Sequence, residues 1–256
     1  MSERKTLINA VDRALRILDL FSEQHKELKL TEISQQMKLH KSTVHGLLRT
    51  LAHHGYITQN EENGKYKLGL KFIEKSELVL SSLDLRRIVH GQLQKLAAKF
   101  GETAHLVILE GGEAIYIDKV EGDSAIGMYS RLGKRAPIYC TAVGKVLVSE
   151  KTESELQQMA QQQNFVPRTP NTISSAEELI AEIAHVRRQG YALDDEELEI
   201  GLRCIAVPIR DNRGEIIAAV SISGPVTRLS DQKLPKMIEN LKDAAYRISK
   251  RLGYKN

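Results

Sequence analysis

Cysteine is scarce in this 256-residue chain: only Cys140 and Cys204 occur, far apart and without partners at metal-ligand spacing. That excludes a disulfide scaffold and a structural zinc site, and it suits a reducing compartment. Long apolar runs are absent too, so no segment reads as a membrane span. Met1-Ser2-Glu3-Arg4-Lys5 has no apolar stretch behind it of the kind a secretory leader needs, and a cytoplasmic location is expected. There is no internal repeat, low-complexity tract, Gly-rich phosphate loop or metal motif, and neither cysteine has a histidine beside it. What remains is the composition of an ordinary globular protein, 41% hydrophobic and 27% charged, with length for about two domains.

The charge is unevenly spread. Residues 1–75 carry 13 Lys/Arg against 9 Asp/Glu, whereas residues 76–256 carry 24 against 24. The whole positive surplus, with five of the eight histidines, sits in the first third, which favours a polyanion contact there.

The segment from Leu30 to His54 is the most informative. Thr31 to Met37 reads as a short helix with Thr31 as its cap and Ile33 and Met37 one turn apart. After a tight turn, Val44, Leu47, Leu48 and Leu51 recur at i, i+3, i+4 and i+7, one apolar stripe of a second helix. Its opposite side presents Ser42, Thr43, His45, Arg49 and Thr50, side chains able to donate to phosphates or base edges. Short helix, turn and longer helix is the arrangement a helix-turn-helix lays in a major groove. A preceding helix over 9–22 is expected to bury Val11, Ala14, Leu15, Leu18 and Phe21. Following the pair, residues 55–59 and 65–69 flank an Asn/Glu/Gly turn and read as a β-hairpin, the wing of a winged helix, with Lys65 and Lys67 in reach of a backbone phosphate.

Residues 70–100 read as helix with a break near Ser81–Asp84, its second part striped by Leu85, Ile88, Val89, Leu93 and Leu96; a linker with a dimerisation surface is expected. Beyond Thr103 strands dominate: a hairpin about Gly111-Gly112, a strand at 125–129, and two strands at 204–210 and 215–223 joined by Asp-Asn-Arg-Gly. Helices are expected at 141–149, 153–163 and 175–189, and one capped by Ser230 running to Leu252. The fold class is α+β with a mostly antiparallel sheet.

These blocks resemble the IclR family of bacterial transcription regulators over nearly the whole chain. The resemblance rests on Ala10 to Leu18 and Leu39 to Leu51, on Gly133-Lys134-Arg135-Ala136-Pro137 followed by Cys140 to Lys145, on Gly190 to Glu197 running on to Gly201 to Pro208, and on Ser221 to Pro225. It implies a winged helix-turn-helix domain over 1–69, linker helices over 70–100, and a GAF-like α/β effector-binding domain over 101–256. It also implies a homodimer or homotetramer that binds an operator in double-stranded DNA, a repressor rather than an activator, with no membrane partner. The expected effector is a small organic acid, a carboxylate; no cofactor or metal is expected, and no catalytic residue. Lys41, Ser42, Thr43, His45, Arg49, Lys65 and Lys67 are the expected DNA contacts. Where the family often has Arg after the His of the recognition helix, this chain has Gly46; a mid-helix glycine costs about 1 kcal/mol relative to alanine.

The effector site implied by the resemblance also makes sense residue by residue. Ala219, Ser221 and Ser223 alternate onto one strand face, and Ile216, Ala218, Val220 and Ile222 onto the other. Cys204 and Ala206 share a side of the partner strand. A helix starting near Thr141 points backbone N–H groups at a carboxylate, which small Ala142 and Gly144 let approach. Asp194 is expected to accept from a ligand hydroxyl, and Met128, Ala136 and Val143 to form the apolar wall. Cys140 is read as structural, and His105 and His185, which have no metal-spaced partners, as surface or core residues. The alternative is an enzyme acting on a small carboxylic acid through Cys204 or the Asp194 region.

Overall fold

The structure, a computed structural model, describes residues 7–22, 24–82, 84–124 and 130–255. The expected strand at 125–129, Met128 included, lies outside the described residues. The chain divides into two compact units, Met1–Ser82 and Leu83–Asn256.

The first unit opens with α1 (Asn9–Leu18), α2 (Leu30–Met37) and α3 (Lys41–His53), continues with β1 (Ile57–Gln59) and β2 (Tyr66–Leu68), and ends with α4 (Lys71–Ser82). Its core is Ile17, Leu28, Ile33, Met37, Val44, Leu48, Leu51, Ile57 and Tyr66. In α1 the buried side is turned from the expected one: Ile17 is fully buried with Ala14, Leu18 and Phe21 beside it, while Val11 and Leu15 are exposed. Val11 and Leu15 form a second apolar stripe on this helix, continued by the exposed Leu7 and Ile8 just before it, and periodicity alone cannot choose between two stripes.

Helix α2 starts one residue earlier than expected. Its cap position is Lys29, whose backbone N–H donates to Glu32 Oε2 at 2.6 Å, so Thr31 is inside the helix. It stops at Lys38, held at φ +53°, where Leu39 N–H returns to Ser34 O. That left-handed turn delivers the chain to α3 in three residues. The β1–β2 hairpin pairs Ile57 with Leu68 and Gln59 with Tyr66, and Leu28 bridges Tyr66 from outside, tying the wing to the helices.

The second unit begins with α5 (Asp84–Phe100) and the hairpin β3 (Thr103–Glu110) and β4 (Glu113–Val120), whose two-residue turn has both Gly111 and Gly112 at positive φ. Next come β5 (Arg135–Ala136), α6 (Ala142–Val148), α7 (Glu153–Gln161), α8 (Ala176–Gln189), β6 (Ala192–Asp195), β7 (Leu202–Arg210), β8 (Ile216–Pro225) and α9 (Leu234–Arg251). The strands form one sheet in the order β5-β4-β3-β8-β7-β6, and every described pairing is antiparallel. Ser230 opens a turn before α9 rather than capping it: the helix begins with Pro235 in its first turn.

One sheet face packs on α5 and α9 through Leu106, Ile117, Ile205, Val207, Val220 and Ile222. Because Val89, Leu93, Leu96 and Ala97 of α5 are in that core, α5 belongs to the body of the second unit, and the division falls inside the stretch read as linker. The other face packs on α6 and α8 through Val107, Tyr116, Ala206 and Ala219 against Val143, Val146, Leu147 and Val186.

Two register shifts break the alternation. One lies between Ile209 and Arg210, where Ile209 faces Ala218 but Arg210 faces Ile216; the extra residue moves Ile216 onto the α6 side, away from Ala218, Val220 and Ile222. The other lies between Leu106 and Val107 and puts both Ile117 and Asp118 toward α5. There the buried Asp118 meets His90 Nδ1 at 2.7 Å and Arg86 Nε at 3.3 Å.

Candidate functional site: a nucleic-acid interface and a ligand cavity

In α3, Val44, Leu48 and Leu51 are buried and Leu47 half-buried, which fixes the helix's rotation. Lys41, Ser42, Thr43, His45, Gly46, Arg49 and Thr50 are all exposed. A β-carbon added at Gly46 would meet nothing within 4 Å, so the polar side has an open gap at its middle. On the hairpin Lys67 is exposed and Lys65 half-buried. Their charge is partly offset: Glu27, which accepts from Asn63 Nδ2 at 3.1 Å and Asn60 Nδ2 at 3.5 Å, is held below the usual carboxylate range by those two bonds and then by Lys67 and Lys65.

A cavity of about 140 Å³ lies between the sheet and the start of α6. For scale, an apolar cavity of about 150 Å³ holds a benzene. Seven of the eight expected effector residues line it: Ala136, Ala142, Val143, Asp194, Cys204, Ser221 and Ser223. The register explains why residues so distant in sequence meet. Ser221 lies between His105 on β3 and Ala206 on β7, while Ser223 lies between Thr103 and Cys204; Cys204 in turn faces Asp194 on β6. Gly144 plays a different part from the one expected: a β-carbon there would come within 2.4 Å of Ile138 Cα, so its lack of side chain serves packing.

At the start of α6, Thr141 Oγ1 accepts from Gly144 N–H at 3.2 Å and donates to Pro137 O at 2.7 Å. Ala142 and Val143, the two residues between, have N–H groups that the helix itself cannot satisfy. Cavity-lining residues that sequence reasoning missed include His105, Tyr116, Ser130, Thr141 and Arg168. His105 was readable only as a core or surface residue, since the sheet register alone aims it at the cavity. Nothing in the sequence points to Arg168, which arrives on a loop.

The polar groups on the sheet side are deeply desolvated, while Arg135 and Arg168 at the rim are exposed. His105 bonds Ser130 Oγ through Nε2 at 2.7 Å and lies 3.4 Å from Ser221 Oγ through Nδ1, with the Tyr116 ring edge-on to it. Burial, then the Lys119 charge, lowers its pKa to about 3, so it is neutral. Burial likewise pushes the Tyr116 hydroxyl up, keeping it protonated.

Asp194 differs from the expected simple acceptor. Its Oδ1 accepts from the N–H groups of Glu197 at 2.8 Å and Leu198 at 3.2 Å, while the buried Oδ2 has no hydrogen-bond partner. Burial and then Glu197 raise its pKa to about 7, which makes it a donor for part of the time at neutral pH. Cys204 is pushed well above the usual thiol range by burial and then by Asp194. Cys140, fully buried, is raised to about 12 by burial. Behind this wall Lys145 is itself buried, donating to Glu197 Oε1 at 2.5 Å and Leu193 O at 2.9 Å. Arg168 is the lining cation that has neither an ion-pair nor a charged hydrogen-bond partner among the described residues; Arg135 is held by Glu110 and Glu113.

A basic, exposed recognition helix in one unit and a cavity of mixed polar and apolar lining in the other now have a counterpart. Residues 10–61 match the IclR helix-turn-helix domain, and residues 77–250 match the bacterial transcriptional regulator IclR C-terminal domain. The chain belongs to the IclR family. Among relatives, the HTH-type transcriptional regulator XynR of Escherichia coli is 47% identical over 97% of this chain and 98% of its own length. Other relatives are named as transcriptional repressors. The crystal structure of the Thermotoga maritima IclR is 35% identical, with a TM-score of 0.79 over 97% of this chain and all of that one. An IclR homolog from Microbacterium hydrocarbonoxydans, solved with 4-hydroxybenzoate, shares the fold at 24% identity, with a TM-score of 0.82 over 95% of this chain and 98% of that one. Family membership accounts for a winged helix followed by an α+β unit. Among the described residues no helix is long and apolar enough to span a membrane, and no three His, Cys, Asp or Glu are grouped to hold a metal.

Proposed function

We propose that this IclR-family protein is a DNA-binding repressor whose operator affinity is set by a small carboxylic acid held in the cavity of the second unit. The observation that carries the DNA half is the rotation of α3: its leucines anchor it to the core and leave Ser42, Thr43, His45 and Arg49 outward for base edges and phosphates, with Lys41, Lys65 and Lys67 for the backbone.

The ligand half is supported by the cavity's chemistry. Arg168, exposed at the cavity's rim, supplies a positive charge with no carboxylate partner among the described residues. Ser221, Ser223, Tyr116 and Asp194 offer hydrogen bonds around a volume suited to a short acid or a small ring. That a homolog was solved with 4-hydroxybenzoate is consistent with an acid of this size. The acid acts as a switch by binding two arrangements of the paired chains with different affinity.

The enzyme reading fares worse. A nucleophilic cysteine needs a lowered pKa, and Cys204 sits beside Asp194 in a dry wall that raises it.

Selection of bound duplexes from a random library, followed by binding to the selected site, tests the first half. Arg49→Ala is expected to weaken binding by about 1–3 kcal/mol; unchanged affinity at physiological salt removes this assignment. A thermal-shift screen of short hydroxy-, oxo- and aromatic carboxylic acids tests the second. A hit is expected to raise Tm in the wild type, to lose that effect in Ser221→Ala/Ser223→Ala, and to alter operator affinity; a hit that leaves operator affinity unchanged rejects the switch.

A further inference from the structure

Gly46 stands inside α3, and nothing in the protein asks for glycine there. Its backbone is helical, outside the left-handed region that Gly111 and Gly112 occupy in the β3–β4 turn, so any residue would be accepted. A β-carbon meets nothing within 4 Å, unlike one at Gly144, so packing does not exclude a side chain either. A glycine inside a helix costs about 1 kcal/mol relative to alanine. No contact within the fold offsets that cost, which directs attention to whatever approaches α3 from outside.

The position on the helix says what that is. Gly46 comes two residues after Val44 and two before Leu48, both fully buried, and at about 100° per residue it lies opposite the pair. It is the crest of α3, at the centre of the polar face proposed above to enter a major groove. Its neighbours on the helix surface, at i±3 and i±4, are Thr43, Arg49, Ser42 and Thr50, all exposed. A crest without a side chain, ringed by residues that have one, is a shallow notch floored by backbone. Thr50 Oγ1 donates to Gly46 O at 3.0 Å, which uses that hydroxyl proton within the helix and leaves the γ-methyl of Thr50 for the notch.

Base pairs present donors, acceptors and one apolar group in the major groove, the C5 methyl of thymine. Donors and acceptors call for polar side chains, whereas a notch floored by Cα and rimmed by threonine methyls suits the methyl group. We propose that Gly46 is a specificity-determining position, a notch in the recognition face that receives the C5 methyl of a thymine in the operator. With no side chain at the crest, α3 seats closer to the base pairs, and Ser42, Thr43 and Arg49 reach the flanking edges and phosphates. The notch has this role only if α3 enters the groove as proposed above.

Synthetic duplexes of the sequence selected by the wild type test this, each thymine being replaced in turn by deoxyuridine, which pairs alike and lacks only the methyl. The wild type is expected to bind about fourfold more weakly at one such replacement, the worth of one buried methyl group. Gly46→Ala fills the notch with a methyl of its own. It is expected to bind the parent duplex at least about fourfold more weakly than the wild type, to ignore deoxyuridine at that same position, and to bind unrelated DNA as the wild type does. Its thermal melt is expected to be no lower than the wild type's, which separates lost recognition from lost folding. A wild type indifferent to every replacement, or a Gly46→Ala protein that matches the wild type on the parent duplex or keeps its sensitivity to deoxyuridine, overturns the proposal and leaves DNA binding by α3 standing. Failure to bind any selected duplex overturns both.

Discussion

Replacing Asp194 with asparagine gives the sharpest physical test of the cavity. The pKa rises from an ordinary 3.8 to about 7, some three units, because burial and Glu197 disfavour the charged form more than Lys145 and two backbone N–H groups favour it. At 1.36 kcal/mol per unit this is about 4 kcal/mol of stability that depends on pH. The sign follows from which state keeps the proton. Between pH 4 and pH 7 the unfolded chain has lost it while the folded chain retains it, so stability falls as pH rises, and the loss is complete above pH 7. Asparagine keeps the Oδ1 acceptor for Glu197 and Leu198 and cannot ionise. Urea unfolding at several pH values, followed by the near-ultraviolet signal of buried Tyr116 and Tyr139, reads the difference. Asp194→Asn is expected to match the wild type near pH 4 and to exceed it by a few kcal/mol at pH 7 and above. His105 provides the internal control, because it titrates in the same window with opposite sign. Its folded pKa near 3 means stability is lost as pH falls from 6.5, and His105→Gln is expected to remove that acid-side loss. If the Asp194→Asn difference is the same at pH 4 and pH 8, Asp194 is ionised in the fold and the account of a dry wall is wrong.

Other outcomes are expected. Gly46→Ala should stabilise the first unit by about 1 kcal/mol in thermal melts, since a β-carbon there meets nothing. Gly46→Arg should also steepen the salt dependence of DNA binding by about one unit of slope, from one more phosphate contact; weaker DNA binding by both variants would mean that the duplex needs that gap. Arg168→Met should cost a bound carboxylate about 1.5–3 kcal/mol in calorimetry, the worth of a charged hydrogen bond, and leave Tm of the free protein unchanged. Lys145→Met should destabilise by about 3–5 kcal/mol, because it strands Glu197 in the interior, and Lys145→Met/Glu197→Leu should recover much of that loss.

Local order was legible from the residues alone. The apolar stripe of α3 fixed which side chains face out, because a helix anchored by Val44, Leu48 and Leu51 can expose only the opposite arc. The same holds for the strand parity that set Ser221 and Ser223 apart from Ala218, Val220 and Ile222, and for the Gly111-Gly112 turn. These rest on periodicities and backbone preferences that act over a few residues. The tertiary structure decided the rest. It chose between the two stripes of α1, moved Ile216 across the sheet by a single extra residue, and drew α5 into the second core. It also brought His105, Tyr116 and Arg168 around the residues already suspected, and it turned Asp194 from an ordinary acceptor into a half-protonated group. Each of these depends on which strands pair and on how much water is excluded, and such long-range facts have no signature in the local spacing of residues.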